Sequence, residues 1–411
     1  MDFSYDAVII GGAFSGAATA LLLRRRAPQA RILIIEKSAA FDRKVGESTT
    51  EVSSCFLTKT LGLSTYLGHH QLPKQGLRMW FARSSGDAFD AGSEIGAKYN
   101  SRLSGYQVDR STLDEHLQTE AVATGCELWR PAKVTKLELS EGGENLIEVF
   151  CGGESRRVRA RWVIDASGKV AMITRHLDHW RRNDAHPISS MWARFTGVKD
   201  WDGHELRDKF PCWANSVATG RNWATNHLMG DGWWCWIIPL KGGDTSVGLV
   251  YDKRLFEPPS GGTIAERLHA HCLTHPVGKE ILERAEAVPG DQRAYSSLAY
   301  YSEKIAGDGW FSVGDAASFI DPLYSSGLDF CAFTSQGAAA LVARSLAGED
   351  IAHDLASYNK RFQFCHRAWF DSIYRDKYQY VGDAELMGAA FLMDIASYHL
   401  GPVRQVYGDP S

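Results

Sequence analysis

The chain opens on a short apolar run, Val8-Ile9-Ile10. It ends in Gly11-Gly12-Ala13-Phe14-Ser15-Gly16 and passes into an Ala- and Leu-rich stretch over 17–25. A strand, a glycine turn and a helix in immediate succession predict an α/β unit whose first corner holds an anion. The first glycine permits the sharp turn, and the last lets helix and strand approach closely. The pyrophosphate of a dinucleotide then rests on free N–H groups at the helix N-terminus. Ala13 stands where a middle glycine is usual, bringing one methyl toward the phosphates. A second apolar run, 31–36, ends in Glu36, at the distance where an acid bonds ribose hydroxyls. Lys37 beside it is grouped with the cofactor contacts, although its side chain is expected to face solvent.

Two later apolar runs, 161–165 and 310–313, lead into Asp165-Ala166-Ser167-Gly168 and Gly314-Asp315-Ala316-Ala317. The strands of the cofactor unit are therefore dispersed along the chain. Between them lie alternating segments such as Met191-Trp192-Ala193-Arg194-Phe195 and Thr245-Ser246-Val247-Gly248-Leu249-Val250. These predict an antiparallel sheet with one buried face. Lys241-Gly242-Gly243-Asp244 reads as a hairpin turn. From about Ser335 the pattern is helical, through Leu341, Val342 and Leu346 and again through Phe362, Cys365, Trp369 and Ile373. The expected organisation is discontinuous. Segments 1–75, 105–185 and 291–345 form a cofactor domain, 76–104 and 186–290 a substrate domain, and 346–411 a C-terminal helical region.

Composition narrows the function classes. A net charge of -4 over 411 residues offers no electrostatic footprint for nucleic acid or an anionic membrane. Eight cysteines without a C-x-x-C pair argue against a disulfide framework or a zinc site, and reduced thiols fit a cytoplasmic protein. His69-His70 is expected in a solvated loop, and no metal is expected. The first residues show no basic n-region or cleavage site, and their apolar run is too short to span a bilayer. Many of the thirteen tryptophans fall between Trp180 and Trp236, as an aromatic-walled cavity or a Trp-rich core would require.

Three segments resemble the glutathione-reductase-type flavoproteins. They are Tyr106-Gln107-Val108-Asp109-Arg110 with Leu113-Asp114, Asp165-Ala166-Ser167-Gly168, and Gly314-Asp315-Ala316-Ala317. The resemblance implies FAD, with Arg110 near its phosphates or ribityl chain, Asp165 in a turn beneath it and Asp315 on the ribityl chain. It also implies an α/β fold: a three-layer ββα FAD-binding domain, an interleaved antiparallel-sheet substrate domain and a short helical tail.

Three further stretches narrow the resemblance. Gly46-Glu47-Ser48, Trp234-Cys235-Trp236-Ile237-Ile238-Pro239 and Phe319-Ile320-Asp321-Pro322-Leu323-Tyr324-Ser325-Ser326-Gly327 resemble segments of the flavin-dependent halogenases. The likeness covers about 5–345 and is strongest toward members that chlorinate phenols and pyrroles. It implies FADH2 from a separate flavin reductase, dioxygen, and chloride or bromide. Hypohalous acid would cross an internal tunnel to a lysine and reach an electron-rich ring. Lys74, in Leu72-Pro73-Lys74-Gln75-Gly76, is the expected catalytic lysine, with Lys59 as its rival. Trp234 and Trp236 would line the tunnel, and Glu47 is grouped with these catalytic residues. Arg43 and Ser48 join the cofactor contacts, while Ser326 and Gly327 would present N–H groups to the halide or seat the flavin.

The sequence departs from the family in three places. No proline follows Glu47-Ser48. Tyr324 stands where tryptophan-type members carry an acid. The tail is short, which implies an exposed pocket suited to a carrier- or protein-tethered substrate. The alternatives are an FAD-dependent monooxygenase hydroxylating an aromatic and an FAD-linked reductase or dehydrogenase.

Overall fold

The computed structural model describes residues 2–408. The first strand, Asp2–Ile10, lies parallel to Ile32–Ile35 on one side and to Glu154–Asp165 on the other. Trp310–Ser312 and Glu127–Trp129 extend the parallel sheet outward. Strands covered on both faces read as continuous apolar runs, and all four residues of Ile32–Ile35 are buried. One face carries the helices Phe14–Arg26, Arg110–Ala123 and Gly327–Leu346. The other packs against a second set of strands, in which Ala132–Glu138 and Asn145–Cys151 run antiparallel into Glu154–Asp165. The result is the expected ββα layering. The 161–165 run is only the end of a twelve-residue strand. Its earlier residues alternate, with Val158 and Ala160 buried and Arg157 and Arg159 exposed, so no apolar run marks them.

The second sheet has seven strands. Their order is Glu286–Tyr295, Ile188–Thr196, Thr245–Asp252, Trp233–Pro239, Thr225–Gly230, Leu77–Phe81 and Ser93–Gly96. It is not purely antiparallel: Thr225–Gly230 runs parallel to Leu77–Phe81. Leu77–Phe81 follows the short strand Leu72–Lys74, which belongs to neither large sheet, and stands far ahead of Thr225–Gly230 in sequence, so no hairpin sets its direction. The sheet also takes in residues up to Tyr295, past the expected boundary at 290. The expectation of one buried face is corrected. Met191, Ala193 and Phe195 pack with the helix Ile264–Cys272, while Trp192, Trp234 and Trp236 pack with the C-terminal helices. Alternation is present, but the tail covers the second face.

The tryptophan-rich region is mostly core. Trp80 stacks on Trp201 at 5.3 Å and lies 6.1 Å from Trp213. The helices Ala352–Trp369 and Ala384–Tyr398 return over the sheet, contributing Met387 and Phe391 with Phe370, Ile373, Tyr374 and Tyr378 between them. Cys365, expected on the apolar face, is exposed, because this helix buries Leu355 and His366 instead. His69 and His70 end the helix Ser64–His70 rather than lying in a loop, and His70 stacks on Tyr66. Among the described residues, no helix is long and apolar enough to cross a membrane.

Candidate active site

The first corner is built for glycine. Gly11 has φ +100°, and a Cβ there would lie 2.4 Å from the Ala166 carbonyl oxygen. A Cβ at Gly16 would lie 1.8 Å from the Gly11 oxygen, so helix and strand touch without space for a methyl. Glu36 is buried and ties the corner together, accepting from Gly12 N and Ser38 N at 2.8 Å each. Ala13 precedes the helix Phe14–Arg26, which has no side-chain cap and no acid in its first turn. Its N–H groups and dipole are therefore open to an anion. Asp165 spends both carboxylate oxygens on backbone, accepting from Ser167 N at 2.9 Å and Ile173 N at 2.8 Å. It holds the turn that Gly11 approaches.

Four charged groups, Arg110, Asp114, Asp315 and Lys44, meet beside this corner. Arg110 donates to Asp114 at 3.0 and 3.2 Å, and its guanidinium stands 5.4 Å from the Phe14 ring. Burial pushes the Asp315 carboxyl upward, against the pull of Arg110 and Lys44. Among the described residues, nothing donates to that carboxylate. Gly314 closes against Ser15, whose Oγ would lie 2.2 Å from an added Cβ. Gln107 is fully buried, yet neither its amide oxygen nor its amide nitrogen has a partner. An orphaned buried amide is costly unless a ligand completes it. The glycine cradle, the uncapped helix and this amide together fit a dinucleotide.

Lys37 is exposed. Arg43 pairs with Asp244 at 2.9 Å and Asp291 at 3.6 Å, and Ser48 Oγ bonds Thr225 Oγ1 at 2.9 Å. These two residues stitch the cofactor unit to the second sheet.

Lys74 ends the strand Leu72–Lys74, which pairs antiparallel with Gly105–Gln107. The side chain crosses Gly105, where a Cβ would lie 3.3 Å from Lys74 Cδ and 3.0 Å from the Thr49 oxygen. Only 4% of the residue is exposed, and Nζ donates to the Thr49 carbonyl at 2.7 Å. Burial lowers its pKa to about 8, opposed by the carboxylates of Glu51 and Asp329. Lys74 lines a cavity of about 100 Å³ with Thr49, Thr50, Glu51, Leu77, Tyr324, Ser326 and Asp329. Asp329 accepts from Thr50 Oγ1 and, at 3.0 Å, from Ser53 N, and burial pushes its carboxyl up to about 7.

The far wall belongs to the tail: Trp369, Ile373, Phe391, Asp394, Ile395, Tyr398 and His399. The expected exposed pocket is thus replaced by one that the short tail itself covers. No local signal marks Asp329, Asp394 or Tyr398, because each reaches the cavity only through long-range packing.

The structure does not bring Glu47 into that cavity. Its carboxylate closes on Arg194, Oε1 accepting from Nη2 at 2.7 Å, with each side chain 3% exposed. Burial pushes the Glu47 carboxyl up to about 7, with Arg194 pulling the other way. Arg194 also donates to Asp109 at 2.8 Å. Nor do Trp234 and Trp236 line the cavity. They are buried side by side in the core beneath it, Trp234 Nε1 donating to Tyr378 at 2.9 Å and Trp236 Nε1 to Ser246 at 3.1 Å. Lys59 is outside the cavity lining as well.

Residues 95–375 match the family model described as tryptophan halogenase. The chain is 26% identical to the flavin-dependent halogenase chlA of Dictyostelium discoideum, over 96% of this chain and 69% of that protein. It is likewise 26% identical to a 1H-pyrrole-2-carbonyl-[peptidyl-carrier protein] chlorinase of Pseudomonas fluorescens, over 80% of this chain and 73% of that one. It spans about two thirds of the length of the curated relatives it matches. Among solved structures, the halogenase PltM in complex with phloroglucinol and FAD superposes with a TM-score of 0.83 at 19% identity, covering 97% of this chain and 81% of that one. A flavoprotein/dehydrogenase from Cytophaga hutchinsonii shares the fold with a TM-score of 0.73 at 21% identity, covering 94% and 88%. With the family model matching well over half of the chain, this protein belongs to the tryptophan halogenase family.

Proposed function

We propose that this chain is a flavin-dependent halogenase acting on an electron-rich aromatic. Lys74 carries the reading: a buried lysine on a cavity wall, with a single hydrogen bond among the described residues, to Thr49. As an ammonium it keeps further N–H donors for the cavity. Such a donor can hold hypohalous acid and turn its halogen toward a ring bound opposite.

FAD is the cofactor that the corner fits. Gly11, Gly12, Ala13, Phe14, Ser15 and Gly16 would take its pyrophosphate. Glu36 would face the ribose, Arg110 and Asp315 the ribityl side, and Asp165 and Gly314 would shape the turns beneath it. When bound, reduced FAD supplies the electrons that activate dioxygen toward halide. Ser326 and Gly327 are the halide candidates. The Ser326 N–H lacks a backbone acceptor among the described residues, and Gly327 opens a twenty-residue helix with Ser326 in the cavity wall. Trp234 and Trp236, packed as a layer beneath the cavity, would keep the substrate from the flavin. On this reading the first sheet is the cofactor unit and the second the substrate unit. A flavin reductase is the expected partner, in the cytoplasm, and the substrate is free or carrier-tethered.

The test is incubation with FAD, a flavin reductase, NADH, dioxygen and bromide over a panel of phenols, pyrroles and indoles. Mass spectrometry should show the bromine isotope pair. Hydroxylated products alone would reassign the chain to the monooxygenases, and NADPH oxidation by the chain alone would remove the reductase partner.

A further inference from the structure

Asp394 enters the cavity wall from the tail helix Ala384–Tyr398. Its Oδ2 is doubly engaged: Lys377 Nζ donates to it at 2.6 Å and Tyr324 Oη at 2.9 Å. Lys377 is 1% exposed, so its ammonium has left water and rests on this carboxylate. The rings of Tyr324 and Tyr380 stand 5.5 and 5.3 Å from that ammonium. A charge-assisted pair in such surroundings fixes the carboxylate in place. Tyr324 reaches it from a left-handed backbone, φ +68°, a conformation that costs a non-glycine residue energy and persists where the surrounding structure enforces it.

The other oxygen, Oδ1, receives no hydrogen bond among the described residues. It belongs to a side chain on the cavity wall, among the apolar surfaces of Leu77, Trp369, Ile373 and Phe391. A carboxylate held by one oxygen, with the second left toward an apolar, aromatic-walled space, is a directional acceptor for one ligand donor.

We propose that Asp394 anchors the substrate by accepting, on Oδ1, the O–H or N–H of an electron-rich aromatic whose ring lies against Trp369 and Phe391. The class is thereby phenols, pyrroles and indoles with a free donor, to the exclusion of their O- and N-methylated forms. This rests on the halogenase reading of the same cavity. Attack by an electrophilic halogen places positive charge on the ring and acidifies its O–H or N–H. The hydrogen bond to Asp394 therefore strengthens on the way to the transition state.

The experiment compares resorcinol with 1,3-dimethoxybenzene and indole with N-methylindole, on FAD-loaded wild type, Asp394→Asn and Asp394→Glu. Binding is read by calorimetry without halide, bromination by mass spectrometry, and released hypobromous acid by a soluble scavenger. Wild type should favour each free donor over its methylated partner by roughly ten- to a hundredfold. Asp394→Asn should erase that preference, and Asp394→Glu should restore part of it. Equal binding within each pair by wild type, or an Asp394→Asn variant that binds the donors like wild type, would overturn the assignment. So would an equal loss for both members of each pair, which marks a structural role. Wild type that binds the donors selectively but brominates nothing would sink the halogenase reading and leave the anchor standing.

Discussion

Arg194 Nη2 donates to Glu47 Oε1 over 2.7 Å, and through that bond the second sheet is locked to the cofactor unit. The same guanidinium reaches Asp109, the residue that caps the helix Arg110–Ala123. Asp244 and Asp291 lie 3.9 and 3.8 Å away and also face Arg43. Two arginines therefore stand among four carboxylates at the junction of the sheets.

Removing Arg194 leaves buried acids without their cation. Arg194→Met should lower stability by about 3–5 kcal/mol, since the uncompensated charge costs more than the pair contributes. Chemical denaturation of the flavin-loaded protein measures it. Arg194→Lys, with no fork to span Glu47 and Asp109 together, should recover only part.

Lys74 links pH to both activity and stability. Its amine loses a proton near pH 8 in the fold, against 10.5 for an ordinary lysine. If the ammonium delivers the halogen, halogenation should fall as pH rises through about 8. Lys74→Arg should move that limb beyond the measurable range. The sign for stability follows from the depressed value. The fold penalises the ammonium below pH 8, and the penalty fades between 8 and 10.5. Lys74→Met should therefore abolish halogenation yet raise stability by about 1–3 kcal/mol at neutral pH, with the advantage shrinking above pH 8. A flat activity profile from pH 7 to about 10 would remove the ammonium from the chemistry.

Asp329 supports the Lys74 ammonium across the cavity. Asp329→Asn should shift the alkaline limb of the activity profile to lower pH. The carboxyl itself is raised from 3.8 to about 7, so its contribution to stability is present below 3.8 and lost as pH rises through 7. The Asn variant should accordingly gain stability relative to wild type at pH 8, as thermal melts at pH 5 and pH 8 would show.

Gly16 has no space for a side chain. Gly16→Ala should cost about 2–4 kcal/mol and most of the bound flavin, because the methyl forces helix and strand apart. Ala13→Gly should keep or tighten flavin binding. The ratio of flavin to protein absorbance after gel filtration reads both.

The cofactor corner was legible in the sequence because its determinants are local. The turn at Gly11–Gly16, the acid ending the next strand and the strand-to-helix junction at Arg110 are each written in a few consecutive residues, so local pattern records each of them. The identification of Lys74 rested on resemblance, and its burial became visible only when Gly105 came to lie beneath it. The sequence by itself determined the positions of these local motifs, and the ββα layering followed from their resemblance to the flavoproteins. What faces the cavity was decided by the tertiary structure alone. The Met191–Phe195 strand alternates as if one face met water, but the tail covers that face at Trp192, and at Arg194 the face meets Glu47 and Asp109. Asp329, Asp394 and Tyr398 reach the cavity from segments far from Lys74, and their neighbours in sequence carry no trace of the meeting. Pairings between distant residues are fixed by packing, for which single-sequence periodicity holds no record.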